Sequence, residues 1–211
     1  MRFTYIYIFK SRKFTSFYGA FTTISYLCTG TLNIYFMENL KDILKNRRSI
    51  RKYTEEPISP ENVKEILEAA LMAPTSKRSL CWEFVVIEDP KQLEKLSHCK
   101  AQGAKPIAGA KLAVVVLADP AKSDVWIEDA SIAAILIQLQ AEDLGLGSCW
   151  IQIRNRLTEN GQSAEDYVRE MLGIPYEIEV LSVITLGHKN EEKKPFDLDK
   201  IQWEKVHIDR W

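Results

Sequence analysis

The sequence predicts an α+β domain in which helices pack on a small mixed sheet. Segments whose apolar residues recur at helical spacing outnumber the short, β-branched segments that indicate strands. Two strand-like segments, 112–117 and 178–186, are apolar enough to lie in the middle of a sheet. A long helical segment, 127–144, is apolar around most of its circumference, which is typical of a helix in a core or an interface. Helices layered on a sheet bury all of these surfaces.

The first predicted elements are two helices. The periodicity of residues 40–44 predicts a short amphipathic helix that ends near Asn46. A second helix starts at Ser59, a favoured N-cap, because Pro60 suits the first helical position. Pro74 stops this helix, since the residue before a proline disfavours the helical conformation.

The rest of the chain alternates strands and helices. The predicted elements are, in order, a strand at 84–87, a helix from Asp89-Pro90, a buried strand at 112–117, the long helix 127–144, a helix from its cap Ser163 to Gly173, and a strand at 178–186. Gly145 and Gly147 are expected to end the long helix. The tail, 195–211, has no core-like pattern of its own.

The bulk composition excludes several classes of protein. With 211 residues, 46% of them hydrophobic and 27% charged, one domain can bury a sizeable core. A formal net charge of -1 leaves no global attraction to nucleic acid or to an anionic membrane. The four cysteines and three histidines are scattered, without the spacing of a metal site. We therefore expect no metal, and free thiols in the reducing cytoplasm.

Residues 1–36 differ from the rest, because they are aromatic, rich in serine and threonine, and free of acidic residues. Their positive charges precede an uncharged run, as in a signal peptide, and the length suits a membrane anchor, but the hydroxyl groups dilute the apolar character. A third interpretation takes Met37 as the biological start, since it opens directly into the first helix. We favour the third, so we expect 1–36 to be an extension outside the core and 37–211 to be the domain.

The segment Arg47-Arg48-Ser49-Ile50-Arg51 places three guanidinium groups within five residues. Guanidinium forks match phosphate oxygens and stay charged at any relevant pH. An extended backbone between two helices would direct alternate side chains, with the Ser49 hydroxyl, toward one anion. Taken alone, such a segment is more commonly a solvated basic turn.

The loop 74–82 joins a helix to a strand and offers hydroxyl groups, two cations and backbone amides. Loops of this kind commonly carry binding groups. The alternative is an ordinary polar connection in which Trp82 fills the core. Considered alone, the segment therefore does not distinguish a binding loop from an ordinary connection.

Two later segments also have a binding and a structural interpretation. In 145–152 the glycines allow close approach of a ligand, Trp150 and Ile151 would cover a flat ring, and Gln152 would hydrogen-bond its edge. The alternative is a helix cap followed by a buried strand. Gly187-His188-Lys189 places a cation and an imidazole beside a glycine, or forms a simple turn. No dinucleotide, P-loop or serine-hydrolase motif is present, and neither Cys81 nor Cys149 has an evident base partner, so a cysteine nucleophile is not favoured.

Taken in order, four segments resemble those of the nitroreductase family of FMN enzymes. They are RRSIRKY at 47–53, APTSKRSLCWEF at 73–84, DLGLGSCWIQ at 143–152 and LGHK at 186–189. The resemblance covers residues 37–211 and none of 1–36. It implies a three-layer fold with helices around a mixed, mostly antiparallel sheet, and an intertwined homodimer with FMN at the interface.

The resemblance also implies site residues. Arg47, Arg48 and Arg51, with Lys189, would hold the FMN phosphate and ribityl chain, and Ser49 would reach toward the ring or the chain. The contacts implied from the other subunit are Pro74, Thr75, Ser76 and Lys77. Trp150, Ile151 and Gln152 would lie along the ring, near its redox-active nitrogen. Leu80, Gly187 and His188 complete the expected cofactor contacts.

The implied activity is reduction of nitroaromatic, quinone or similar electron-poor acceptors with NAD(P)H, in a ping-pong cycle that requires no catalytic acid from the chain. The alternatives are another reaction on the same fold (reductive dehalogenation, flavin breakdown or dehydrogenation) and a flavin-binding protein with little turnover. The second alternative arises because Arg78 and Leu80 stand where the family often has asparagine and glutamine, and Cys81 stands where it has proline.

Overall fold

The computed structural model describes residues 39–211, so the expectation for residues 1–36 lies outside the described part of the chain. The helices and strands are α1 (Leu40–Asn46), α2 (Pro60–Leu71), β1 (Trp82–Ile87), α3 (Pro90–Leu96), β2 (Leu112–Ala118), α4 (Trp126–Asp143), β3 (Leu146–Gln152), α5 (Ala164–Leu172) and β4 (Glu179–His188). Single 3-10 turns lie at Ser76–Arg78, Lys105–Ile107, Leu198–Lys200 and Trp203–Lys205. Every predicted element is present, with bounds within two residues of those expected.

The helix ends follow from local chemistry, as predicted. The Ser59 hydroxyl accepts a hydrogen bond from the backbone N–H of Asn62 at 3.2 Å, which satisfies a donor that has no partner within α2. Ser163 caps α5 in the same way. At the other end of α5, Gly173 has a φ of 67°, a left-handed conformation that glycine adopts without steric cost.

The sheet has the strand order β1-β2-β4-β3, and its three ladders are antiparallel. A parallel bridge between Ser49 and Ser148 on the outer side of β3 provides its mixed component. One face carries an apolar cluster shared with α3 and α5, and the other carries a cluster shared with α2 and α4. The three-layer α+β prediction is therefore confirmed, and β2 and β4 are buried on both faces as their apolar sequences indicated.

One predicted boundary is wrong. Gly145, with a φ of 73°, follows the end of α4, but Gly147 lies inside β3 and does not end the helix. Gly145 thus belongs to the helix cap and residues 146–152 form a strand, in agreement with the structural interpretation of this segment. Gly147 is required by packing, because a Cβ on it would lie 2.7 Å from Cγ2 of Ile50.

Two apolar surfaces remain exposed on the domain. Ile132 and Ile135 project from α4 and are 38% and 37% exposed, although neighbouring positions on the helix are fully buried. The tail, 195–211, carries exposed Trp203 and Trp211, in agreement with its lack of a core pattern. No helix within residues 39–211 is long and apolar enough to cross a membrane.

Candidate functional site

The arginine-rich segment is seated on a pair of glycines. Gly147 of β3 and Gly187 of β4 face each other across the ladder. Ile50 and Tyr53 fill the space above them, since a Cβ on Gly187 would lie 2.8 Å from Cδ1 of Tyr53, much as one on Gly147 would meet Ile50. The Tyr53 hydroxyl donates to the carbonyl of Ile50 at 2.6 Å. A side chain on either glycine would therefore displace the segment.

Backbone hydrogen bonds hold the segment in an extended conformation. The N–H of Ile50 donates to the Ser148 carbonyl at 2.9 Å, and the N–H of Thr54 donates to the His188 carbonyl at 3.0 Å. Ile50 is buried, whereas Ser49 is half-buried and Arg51 is exposed. The alternation that the sequence predicted for an extended segment is thus present, with the apolar side chain inward and its polar neighbours outward.

Replacing Gly187 with alanine is expected to lower both the stability of the domain and its affinity for any anion bound by the arginines. Overpacking of this kind costs roughly 1–3 kcal/mol, because the buried ring of Tyr53 has to move. Urea unfolding measures the first effect and ligand titration the second. Gly109→Ala is the matched control, since the nearest atom to its Cβ is 4.0 Å away. Equal behaviour of the two variants would contradict the seating described above.

A second segment, 189–196, runs along the first and adds cations that the sequence reading missed. The N–H of Asn190 donates to the Lys52 carbonyl at 3.0 Å, and Nε of Arg48 donates to the Lys194 carbonyl at 3.0 Å. Lys193 and Lys194 therefore lie beside the arginines. Two consecutive lysines shortly after Gly187-His188-Lys189 were the only sequence signal for this.

The positive charge of this cluster is poorly neutralised. Among the ion pairs within residues 39–211, none includes the guanidinium of Arg47, Arg48 or Arg51. Glu191 is the nearby carboxylate, and it accepts instead from the backbone N–H of Arg51 at 2.6 Å and pairs with Lys193 at 2.9 Å. Arg48 and Arg51 donate to backbone carbonyls, but no carboxylate of the described residues neutralises the three guanidinium charges, which therefore remain available to an external anion.

Lys189 lies next to this cluster but is already paired. Its backbone forms an isolated antiparallel β-bridge with Tyr53. Its Nζ is 2.8 Å from Oε1 of the buried Glu142 near the end of α4. The structure thus brings Lys189, His188 and Gly187 to the arginine segment. The lysine charge is shared with an internal carboxylate, unlike that of the arginines.

The three candidates on β3 divide between the faces of the strand. Nε1 of Trp150 donates to Oε1 of Gln152 at 2.9 Å, and Nε2 of Gln152 donates to the Arg154 carbonyl at 2.9 Å. The Ile151 side chain is buried in the cluster with α3 and α5, because strand side chains alternate. Trp150 and Gln152 therefore form one connected pair on the face toward α4.

The cysteines in the described part of the chain are free and buried, as expected for Cys81, Cys99 and Cys149. Burial raises the pKa of each thiol, that of Cys99 to about 11. Near Cys149, the Arg51 charge and the Ser49 hydroxyl oppose this rise without overcoming it. Because the thiolate is the reactive form, the high pKa values disfavour a cysteine nucleophile.

The loop 74–80 depends on a carboxylate that the sequence reading passed over as part of an apolar helix. Asp129, in the first turn of α4, is 3% exposed. Its Oδ1 accepts from the backbone N–H of Ser76 at 2.9 Å. Its Oδ2 accepts from the side chains of Ser123 at 2.8 Å and of Ser79 and Cys81 at 3.4 Å.

The charge state of Asp129 follows from these four donors. Burial alone would raise the pKa of Asp129, but the hydrogen bonds from Ser76, Ser123, Cys81 and Ser79 outweigh it and leave the pKa below its ordinary value. Asp129 is therefore ionised at neutral pH. A buried carboxylate of this kind is strongly bound to the loop, since hydrogen bonds to charged groups are the stronger class.

Within one chain, the candidate residues fall into two separated groups. Asp129 binds the loop 74–80 at the start of α4, whereas Glu142 binds Lys189 beside the arginine cluster at the other end. The two carboxylates are 13 positions apart in the helix, a distance of about 20 Å. The arginines, Ser49 and Gly187–Lys189 are thus brought together, and Pro74, Thr75, Ser76, Lys77 and Leu80 are not.

Comparison with known proteins identifies the family. The model of the nitroreductase family matches residues 44–188. A protein of Archaeoglobus fulgidus, provisionally named NADH dehydrogenase/NAD(P)H nitroreductase, is 37% identical over 180 residues, which are 83% of this chain and 100% of the relative. An FMN reductase [NAD(P)H] of Bacillus subtilis is 28% identical over 72% of this chain and 67% of its own length.

Solved structures of similar proteins indicate the same family. The FMN-dependent nitroreductase of Clostridium difficile is 47% identical, with a TM-score of 0.78 over 80% of this chain and 98% of that one. A provisionally assigned nitroreductase of Desulfovibrio desulfuricans, solved in complex with FMN, is 25% identical, with a TM-score of 0.63 over 81% of this chain and 99% of that one. The family match, the whole-length relatives and the shared fold together show that this chain belongs to the nitroreductase family.

Proposed function

We propose that this protein is an FMN-dependent oxidoreductase that uses NAD(P)H to reduce nitroaromatic, quinone or similar electron-poor acceptors. The observation that carries the proposal is the cluster of Arg47, Arg48 and Arg51. Its guanidinium groups form no ion pair with a carboxylate of the described chain, and Ile50 and Tyr53 pack the segment against Gly147 and Gly187. Such a cluster suits the phosphate of a mononucleotide. The activities for which the relatives are named support the same cofactor and donor.

The residues of the cluster would divide the work of holding FMN. Arg47, Arg48 and Arg51 would bind the phosphate oxygens, with the half-buried Ser49 hydroxyl toward the ribityl chain or the ring. Lys189 would contribute less charge than the sequence suggested, because Glu142 already neutralises it. Trp150 and Gln152 would present a flat apolar surface and an amide along β3.

A second copy of the chain would complete the site. The loop 74–80 is bound at Asp129 near the start of α4, and Lys189 beside the arginines is bound at Glu142, about 20 Å further along the helix, so the loop would reach the FMN held by a partner. The exposed isoleucines of α4 and the exposed apolar tail are the surfaces that a homodimer would bury. Each dimer would then carry two equivalent sites.

When bound, FMN would supply the redox chemistry that carries reducing equivalents from NAD(P)H to the acceptor in a ping-pong cycle. The chain's own part would be to bind and orient the cofactor and the substrates. Its buried thiols stay protonated and supply no nucleophile. No described side chain is assigned as a catalytic acid, so solvent would deliver the proton to the reduced acceptor.

Anaerobic spectroscopy tests the proposal. We expect the purified protein to be yellow, to be bleached by NADH or NADPH without oxygen, and to recover its colour when a nitroaromatic or a quinone is added. Bleaching without recovery against any acceptor would favour a flavin-binding protein of little turnover, which the substitutions at Arg78 and Leu80 suggested. A colourless protein that does not bind added FMN would overturn the cofactor proposal itself.

A further inference from the structure

Asp129 is the only anchor that hydrogen-bonds the loop 75–80 to the rest of the domain within residues 39–211. The backbone N–H of Ser76 and the hydroxyl of Ser79 both end on its carboxylate, and Cys81 follows at the start of the next strand. The other hydrogen bonds of the loop are internal, such as that from the N–H of Leu80 to Oγ1 of Thr75. These hydrogen bonds therefore connect the loop to α4 through one carboxylate.

The loop has a conformation that needs such an anchor. Lys77, Arg78 and Leu80 have φ values of 52°, 56° and 46°, in the left-handed region that non-glycine residues rarely adopt. Their side chains are exposed, so core packing does not hold them in place. A strained, exposed backbone persists only where its surroundings determine it, and here the determining contacts converge on Asp129.

The carboxylate is itself held from the far side. Ser123, in the turn before α4, donates to Oδ2 at 2.8 Å and so fixes the rotamer that presents both oxygens to the loop. The position near the N-terminus of α4 also favours a negative charge. The helix and Ser123 therefore fix the position of Asp129, whereas the position of the loop depends on Asp129.

We infer that Asp129 is a positioning residue for FMN, which sets the loop 75–80 in the shape that contacts the cofactor of the partner subunit. The inference rests on the proposed function, in which the loop of one subunit contacts the FMN held by the arginines of the other. Asp129 itself would not touch the cofactor. The carboxylate would act through the backbone of Ser76. A substitution of Asp129 would therefore lower the FMN affinity of the site whose arginines belong to the other chain.

Titration of the apoprotein dimer with FMN, followed by flavin fluorescence, tests the first part. We expect Asp129→Ala to weaken FMN binding by at least about tenfold, the loss typical of a hydrogen bond to a charged group. Asp129→Asn keeps the shape and one acceptor oxygen, so its effect should be smaller but measurable. Gln138→Ala is the matched control, because Gln138 is buried on the same helix and, among residues 39–211, its side chain bonds only to the carbonyl of Ala134.

Each outcome decides between the two claims. Failure of the wild-type protein to bind FMN would overturn the proposed function. If the wild type binds and Asp129→Ala folds with unchanged affinity, the positioning role is wrong and the proposed function stands. Should Asp129→Ala not fold, Asp129→Asn decides in its place, and wild-type affinity of that variant would overturn the inference.

A mixed dimer shows whether the loop contacts the cofactor of the partner or that of its own chain. One subunit carries Arg47→Ala and Arg48→Ala, the other carries Asp129→Ala, and two affinity tags select the heterodimer. If the loop contacts the partner's cofactor, both sets of substitutions affect the same site. The other site of the dimer then keeps wild-type affinity. If Asp129 acts on the cofactor held by its own chain, no site of wild-type affinity remains, and the inference is overturned.

Discussion

Replacing both Arg47 and Arg48 with alanine is expected to weaken FMN binding by roughly 100-fold or more. Each charge-assisted hydrogen bond to a phosphate is worth about 1.5–3 kcal/mol, so the loss of two corresponds to at least two orders of magnitude in affinity. The fold should survive, because Arg48 bonds only to the carbonyls of Arg47 and Lys194 and stacks on Phe196 within the described chain. Fluorescence titration of the apoprotein measures the affinity.

Riboflavin provides the control ligand for this variant, because it has the ring and ribityl chain of FMN without the phosphate. Its affinity should be unchanged by the two substitutions. Arg156→Ala is the matched control variant, since its guanidinium also bonds to the carbonyl of the preceding residue, Asn155, at 2.7 Å, but lies outside the cluster. An equal loss of FMN and riboflavin binding would place the arginines at the ring and contradict their assignment to the phosphate.

Placing glutamates at Ile132 and Ile135 is expected to separate the proposed homodimer into monomers and to remove the proposed FMN site. An unpaired carboxylate buried in an apolar interface costs several kcal/mol, which is sufficient to separate two subunits. Loss of FMN follows because the arginine cluster would no longer meet a loop 74–80 from a partner. Sedimentation velocity gives the assembly state, and the absorbance of bound flavin gives the occupancy.

Val86→Glu is the control for this second experiment. Val86 lies on the edge strand β1 and is 38% exposed, the same as Ile132, but it is not on α4. That variant should remain a dimer with bound FMN. A monomeric Ile132→Glu, Ile135→Glu variant that still binds one FMN per chain would show that a single chain makes the site, and the shared-site proposal would then be wrong.

The local structure of the domain was predictable because its causes are local. Ser59-Pro60 starts α2 and Gly173 ends α5 because caps and left-handed turns depend on a few adjacent residues. The valine-rich segment that became β2 was recognisable because a strand buried on both faces is apolar at every position. The exception, Gly147, was misread because a glycine within a strand has the same local signature as one that ends a helix.

The candidate site was predictable only in part, for the same reason. The sequence by itself determined that three guanidinium groups stand within five residues, and the family resemblance indicated what they bind. Tertiary structure alone decided that Ile50 and Tyr53 seat that segment on Gly147 and Gly187, residues about 100 or more positions away along the chain. Periodicity has no information about contacts at such separations.

Asp129 illustrates the same limit most clearly. In the sequence it is an acidic residue near the start of a long apolar helix, where a charge is ordinarily solvated and favourable to the helix dipole. Only the folded chain buries it and brings to it donors from residues about 50 positions earlier. The α+β fold of helices on a small sheet thus followed from local sequence patterns. The division of the candidate site between the two ends of α4 followed from long-range packing.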